Sequence, residues 1–157
     1  MSLEPISSRS PVWARGTLQA IIGLMHVGLL AGSMIGSVGD SFVIAEWTAE
    51  VGDHWIAPLH VHHSDDEAWY VLSGTIGFRL GDDKVEANAG SAVLARRGTA
   101  HTYWNAGNSE ARYLLVMTPR IAQLIEEIHR PGADAAAVFA AHDSAIIAQG
   151  RVSSHST

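Results

Sequence analysis

Up to Pro119 the chain is cut into short apolar runs by Gly, Asn and Asp, and few runs are long enough for a helix to bury a face. Nine runs read as strands: Leu24–Ala31, Ser41–Glu50, Pro58–His62, Asp66–Ser73, Thr75–Leu80, Asp83–Ala87, Ser91–Ala95, His101–Asn105 and Ala111–Thr118. Ser73-Gly74 and Gly81-Asp82 are turn signals at hairpin spacing, so consecutive strands pair antiparallel or cross between two sheets. An all-β small barrel or jelly roll follows. After Pro119 the period changes. Ile121, Leu124, Ile125 and Ile128 recur at helical steps until Pro131-Gly132, and a second helix is expected from about Ala133 to Gln149.

At 157 residues the chain suits one domain with a single core. The boundaries read as an N-terminal arm over 1–15, a barrel over 16–118, a helical extension over 119–150 and a polar tail over 151–157. A net charge of -6 is the wrong sign for a phosphate-binding surface, so nucleic acid is not an expected partner. With no cysteine, disulfides, thiolate metal sites and a cysteine nucleophile are all excluded. The nine histidines are then the residues to examine for chemistry.

One stretch competes with the barrel reading. From Gly16 to Gly39 there is no charged side chain, a length that could span a bilayer. Gly23, Gly28, Gly32, Gly36 and Gly39, together with His26 and Ser33, argue instead for strands and turns, and no basic cluster follows to anchor a membrane helix. Glu4 and two prolines make a poor start for a signal peptide. A cytoplasmic protein without a membrane partner is the expectation, with export by this segment as the alternative.

The densest chemical signal is Pro58-Leu59-His60-Val61-His62-His63-Ser64-Asp65-Asp66-Glu67. On an extended strand His60 and His62 point to one face and His63 to the other. The polar stretch from Ser64 can turn the chain, so that Glu67 opens the next strand and brings its carboxylate to the same face. His101 opens a later strand that a barrel could place opposite the pair. Three imidazoles and a carboxylate suit one divalent transition metal such as Fe, Ni, Mn, Cu or Zn, and suit Mg or Ca poorly. Trp69 and Val71 share parity with Glu67, and Tyr103 and Asn105 with His101, so these four are expected to line a substrate pocket. His54 and Trp55 are candidates for its rim. His26, His129, His142 and His155 read as structural or surface residues.

These residues resemble the cupins, and in particular their single-domain metal-binding members. Gly52, His60, His62, Glu67 and Gly74 match the first motif of that family, and Gly90, Gly98, His101 and Asn105 the second, with fifteen residues between Gly74 and Gly90. Two departures stand out. Seven residues rather than five precede His60, and Arg96 stands where proline is usual. The resemblance implies a double-stranded β-helix, a jelly-roll barrel with two C-terminal helices, holding a metal on His60, His62, Glu67 and His101. Pro58 to Gly74 and Gly90 to Pro119 are similar to the quercetinase-like monocupin dioxygenases. That likeness implies a metal-dependent dioxygenase cleaving a flavonol-like or other enolisable aromatic, with Glu67 as both ligand and base, and with dioxygen and a small molecule as partners. Redox-neutral cyclisation or isomerisation of a polyketide-like or carbonyl substrate is the alternative, and non-catalytic small-molecule binding is the third. A homodimer is expected from the exposed strand edges of such a barrel.

Overall fold

The computed structural model describes residues 34–52 and 54–148. The run Leu24–Ala31, His26, His155, the arm, the tail and most of the Gly16–Gly39 stretch lie outside the described residues. Two five-stranded antiparallel sheets face each other. The first contains β1 (Met34–Ile35), β2 (Val43–Ala49), β4 (Glu67–Ser73), β7 (Ala92–Ala95) and β9 (Ala111–Met117), in the order β1-β2-β9-β4-β7. The second contains β3 (His60–His62), β5 (Thr75–Leu80), β6 (Asp83–Asn88), β8 (His101–Asn105) and β10 (Ser144–Ile146), in the order β10-β3-β8-β5-β6. Helices α1 (Pro119–Ile128) and α2 (Ala135–Ala141) lie between β9 and β10 in the chain.

Alternation along the strands builds the core. Val43, Ala45 and Ala49 of β2, Trp69 and Val71 of β4, Ile76 and Phe78 of β5, and Tyr113, Leu115 and Met117 of β9 are all buried between the sheets. Their strand neighbours Thr48, Tyr70, Leu72 and Arg112 are exposed. The two turn signals do different work. Gly81 turns a true hairpin, β5 to β6, whereas Gly74 carries the chain from one sheet to the other. Gly74 has φ +76°, and a Cβ there would stand 2.7 Å from that of Ala111, so the crossing tolerates only glycine.

Helix α1 starts as its sequence dictates: the Thr118 hydroxyl accepts from the Ile121 amide, Pro119 fills the first turn, and Ile121 and Leu124 are buried. The second helix is shorter than expected. It begins behind the Asp134 cap and stops at Ala141, where Asp143 takes φ 52° and ends the helical path. Residues expected to continue that helix form β10 instead. The open edge of β3 explains the difference, because its backbone groups require partners. Ser144, Ala145 and Ile146 pair with His62, Val61 and His60, and the ladder is extended by His63 N–H to Asp143 O and Ile147 N–H to Leu59 O.

Candidate metal centre

β3 and β8 are adjacent, with His60 paired directly with His101, and β4 faces them from the other sheet. This places His60, His62, Glu67 and His101 together in the barrel, all buried, with one ligand atom from each within 4.8 Å of the others. Glu67 Oε2 is the centre of the group. It lies 3.0 Å from His101 Nε2, 3.5 Å from His62 Nε2 and 4.0 Å from His60 Nε2.

The outer nitrogen of each ring is anchored. His60 Nδ1 lies 2.7 Å from Pro58 O and His101 Nδ1 2.8 Å from Thr99 O, and a carbonyl can only accept, so both carry their hydrogen on Nδ1. His62 Nδ1 lies 2.7 Å from the Ser144 hydroxyl. All three Nε2 atoms are thereby directed inward. His62 Nε2 is fully buried and has no hydrogen-bond partner among the described residues. Such an atom is costly unless something fills the site.

The electrostatics agree. Burial, reinforced by the neighbouring His101, pushes the His60 imidazole down to about 3, so it is a neutral ligand at pH 7. Burial also pushes the Glu67 carboxyl up, but the hydrogen bond with His101 and the imidazoles around it outweigh that effect and hold it well below the usual carboxylate range. An ion 2.0–2.2 Å from its ligands separates them by at most about 4.4 Å. The four residues therefore fit a divalent transition metal after shifts of a few tenths of an ångström. Fe, Ni, Mn, Cu and Zn all accept this ligand set.

Residues 45–117 match the family described as Cupin domain. This part of the chain is a cupin domain. The match begins in β2 and ends at the last residue of β9, so it takes in all four members of the cluster. No curated protein matches the chain closely enough to count as a relative.

Solved structures similar to the chain include an uncharacterized conserved protein with a double-stranded β-helix domain from Klebsiella pneumoniae, 27% identical, covering 59% of this chain and 83% of that one with a TM-score of 0.45. A sugar phosphate isomerase from a cupin superfamily from Silicibacter pomeroyi is 21% identical, with coverage of 50% and 51% and a TM-score of 0.46. A predicted oxalate decarboxylase from Thermotoga maritima is 25% identical, with coverage of 49% and 64% and a TM-score of 0.41. The chain spans about half the length of the isomerase.

A cavity of about 110 Å³ adjoins the cluster of the cupin domain, lined by His60, His62 and Glu67 together with the apolar side chains of Trp47, Ile56, Ile121, Ile125 and Phe139. Of the four expected pocket residues only Tyr103 lines it. Trp69 and Val71 have the inward parity but fill the packed interior. Asn105 also points inward, yet it is spent on structure. Its amide donates to Ala49 O and Ser109 O, and its carbonyl accepts from Gly107 N–H. Trp55 borders a separate open groove beside Arg79, Lys84 and Trp104. His54 is exposed and does not line the cavity.

Among the lining residues beyond the expected set, three aromatic rings stand out. Phe139 of α2 packs edge-on against His60 at 5.3 Å and lies parallel to His62 at 6.5 Å. His129, expected to be structural, lines the cavity while its Nδ1 donates to Ile125 O. Tyr113 donates to the Tyr103 hydroxyl at 3.1 Å, and burial pushes both phenols above their ordinary value, so both stay neutral. Asp65 and Asp66, in the polar stretch that turns the chain, are both paired. Asp65 is buried and paired with Arg120 at 3.3 Å, and Asp66 is held by Arg97 at 3.0 Å. Among the described residues no helix is long and apolar enough to cross a membrane.

Proposed function

We propose that the protein is a metal-dependent dioxygenase of a small, uncharged or weakly acidic, enolisable compound. The supporting observation is a buried His3Glu set opening on a cavity whose described lining residues include no Lys or Arg. A phosphate or a dicarboxylate would find no cationic side chain there, which sets this cavity apart from one shaped for a sugar phosphate or oxalate. Trp47, Ile56, Ile121, Ile125 and Phe139 offer apolar contact to a planar ring.

Size narrows the substrate further. A cavity of about 150 Å³ holds one benzene ring, and this one measures about 110 Å³. A single ring would already fill this space, and a flavonol would have to extend beyond it. When bound, the metal supplies Lewis acidity toward an enolate oxygen and, if redox-active, electron exchange with dioxygen.

The protein's own groups supply the rest. His60, His62 and His101 hold the ion. Glu67, whose Oε2 faces the three Nε2 atoms, would complete the ligand set and can accept the enol proton on its second oxygen. The Tyr103 hydroxyl already accepts from Tyr113, leaving its own hydrogen to donate to a substrate oxygen. The apolar wall from α1 and α2 excludes water.

The test is oxygen consumption by the metal-loaded protein over a panel of single-ring enolisable compounds and flavonols, with Glu67→Gln in parallel. The variant is expected to keep much of its metal and lose turnover. Turnover that continues without oxygen would replace this reading with redox-neutral isomerisation or cyclisation, and tight binding without product would replace it with a binding role.

A further inference from the structure

His60 and His101 are anchored locally, each ring donating to a backbone carbonyl two residues earlier in its own segment. His62 is not. Its Nδ1 reaches Ser144, 82 positions along the chain, at 2.7 Å. The pairing is built into the sheet, since Ser144 is the direct antiparallel partner of His62 in the β10–β3 register and both are buried.

The surroundings of Ser144 favour one direction for this hydrogen bond. A serine hydroxyl has one hydrogen and two acceptor sites. That hydrogen goes to His142 O at 3.0 Å, so toward His62 the oxygen can only accept. His62 is therefore protonated on Nδ1 and bare on Nε2, in agreement with an Nε2 that is buried and has no hydrogen-bond partner among the described residues. Without Ser144 the hydrogen has a competing place. On Nε2 it would face Glu67 Oε2 at 3.5 Å and occupy the lone pair that a metal requires.

The turn before β10 is itself secured. Asp143 pairs with Arg120 at 3.6 Å and accepts from the Ser64 hydroxyl, on the loop between His62 and Glu67. The strand that carries Ser144 is thus tied to the loop between two members of the cluster.

We propose that Ser144 is a positioning residue for the metal centre: by accepting from His62 Nδ1 it holds Nε2 bare, so the affinity of the site for a divalent ion depends on the docked C-terminal strand. This rests on reading His60, His62, Glu67 and His101 as metal ligands. Partners that orient a ligating imidazole typically change metal affinity 10- to 100-fold.

The experiment uses the full chain with Ser144→Ala and the shape-matched pair Ser144→Thr and Ser144→Val, both β-branched and suited to a strand. Affinity for Zn²⁺ and Ni²⁺ is read by competition with a chelator. The His62 tautomer is read from ring nitrogen shifts in the metal-free, ¹⁵N-histidine-labelled protein. Ser144→Thr is expected within about threefold of the native affinity, with Ser144→Val and Ser144→Ala about 10- to 100-fold weaker. His62 should be protonated on Nδ1 in the native and Thr proteins, and should shift toward the Nε2 form in the Val protein. If Ser144→Ala does not fold, the Thr and Val pair decides. Equal affinities for that pair, or an unchanged His62 tautomer in the Val variant, would overturn the role of Ser144 alone. A native protein that binds neither ion would overturn the metal reading and the inference together.

Discussion

Gly74 carries the chain from one sheet to the other, and replacing it by alanine should be costly. Its φ is +76°, and a Cβ there would stand 2.7 Å from the Ala111 Cβ and 2.9 Å from the Ala111 Cα, so the backbone behind the contact cannot easily yield. The left-handed conformation costs a residue with a Cβ about 1–2 kcal/mol, and forcing an extra carbon into a packed place adds about 1–3 kcal/mol. Gly74→Ala should therefore lose about 2–5 kcal/mol in urea unfolding at pH 7. Gly81→Ala is the control: with φ +61° and no atom within 4 Å of the new Cβ, it should lose only about 1–2 kcal/mol. Equal losses for the two variants would refute the close approach at the crossing between the sheets.

Two further outcomes follow from packing and charge. Phe139 is buried against both His60 and His62, so Phe139→Ala should cost about 3–5 kcal/mol in denaturant unfolding and widen the cavity; a loss below about 1 kcal/mol would show that α2 does not pack there in solution. Metal-free protein should be acid-sensitive over a defined window. His60 has a folded-state value of about 3 against about 6.5 unfolded, so its contribution is complete above pH 6.5 and is lost as pH falls toward 3, at about 1.4 kcal/mol per unit of difference. Urea midpoints that stay constant from pH 7 to pH 4 would contradict a neutral, buried His60.

Much of this architecture is legible in the chain because its cause is local. The turn at Gly81, the alternation in Ala111–Met117 and the Thr118-Pro119 start of α1 each follow from residue type and period. The four members of the cluster are legible because strand parity places His60 with His62, and the motif spacing adds Glu67 and His101. Parity has a limit, however. It assigns a face and not a depth, so Trp69 and Val71 face inward yet belong to the filled part of the barrel. Strand β10 was hidden for a different reason. Three residues after an Ala-rich helix have no periodicity of their own, and their conformation comes from the unpaired edge of β3. Asp143 and the β-branched pair Ile146-Ile147 are the only local hints of it. Ser144, Phe139 and His129 reach the site through that tertiary arrangement, so no spacing rule could name them.

The central claim is that His60, His62, Glu67 and His101 bind one transition metal inside the barrel. Elemental analysis of the native protein beside His101→Ala, after loosely held ions are removed, tests it most directly. The account predicts about one equivalent of Fe, Ni, Mn, Cu or Zn in the native protein and its loss in the variant. No metal in the native protein even after reconstitution, or equal metal in both proteins, would contradict it.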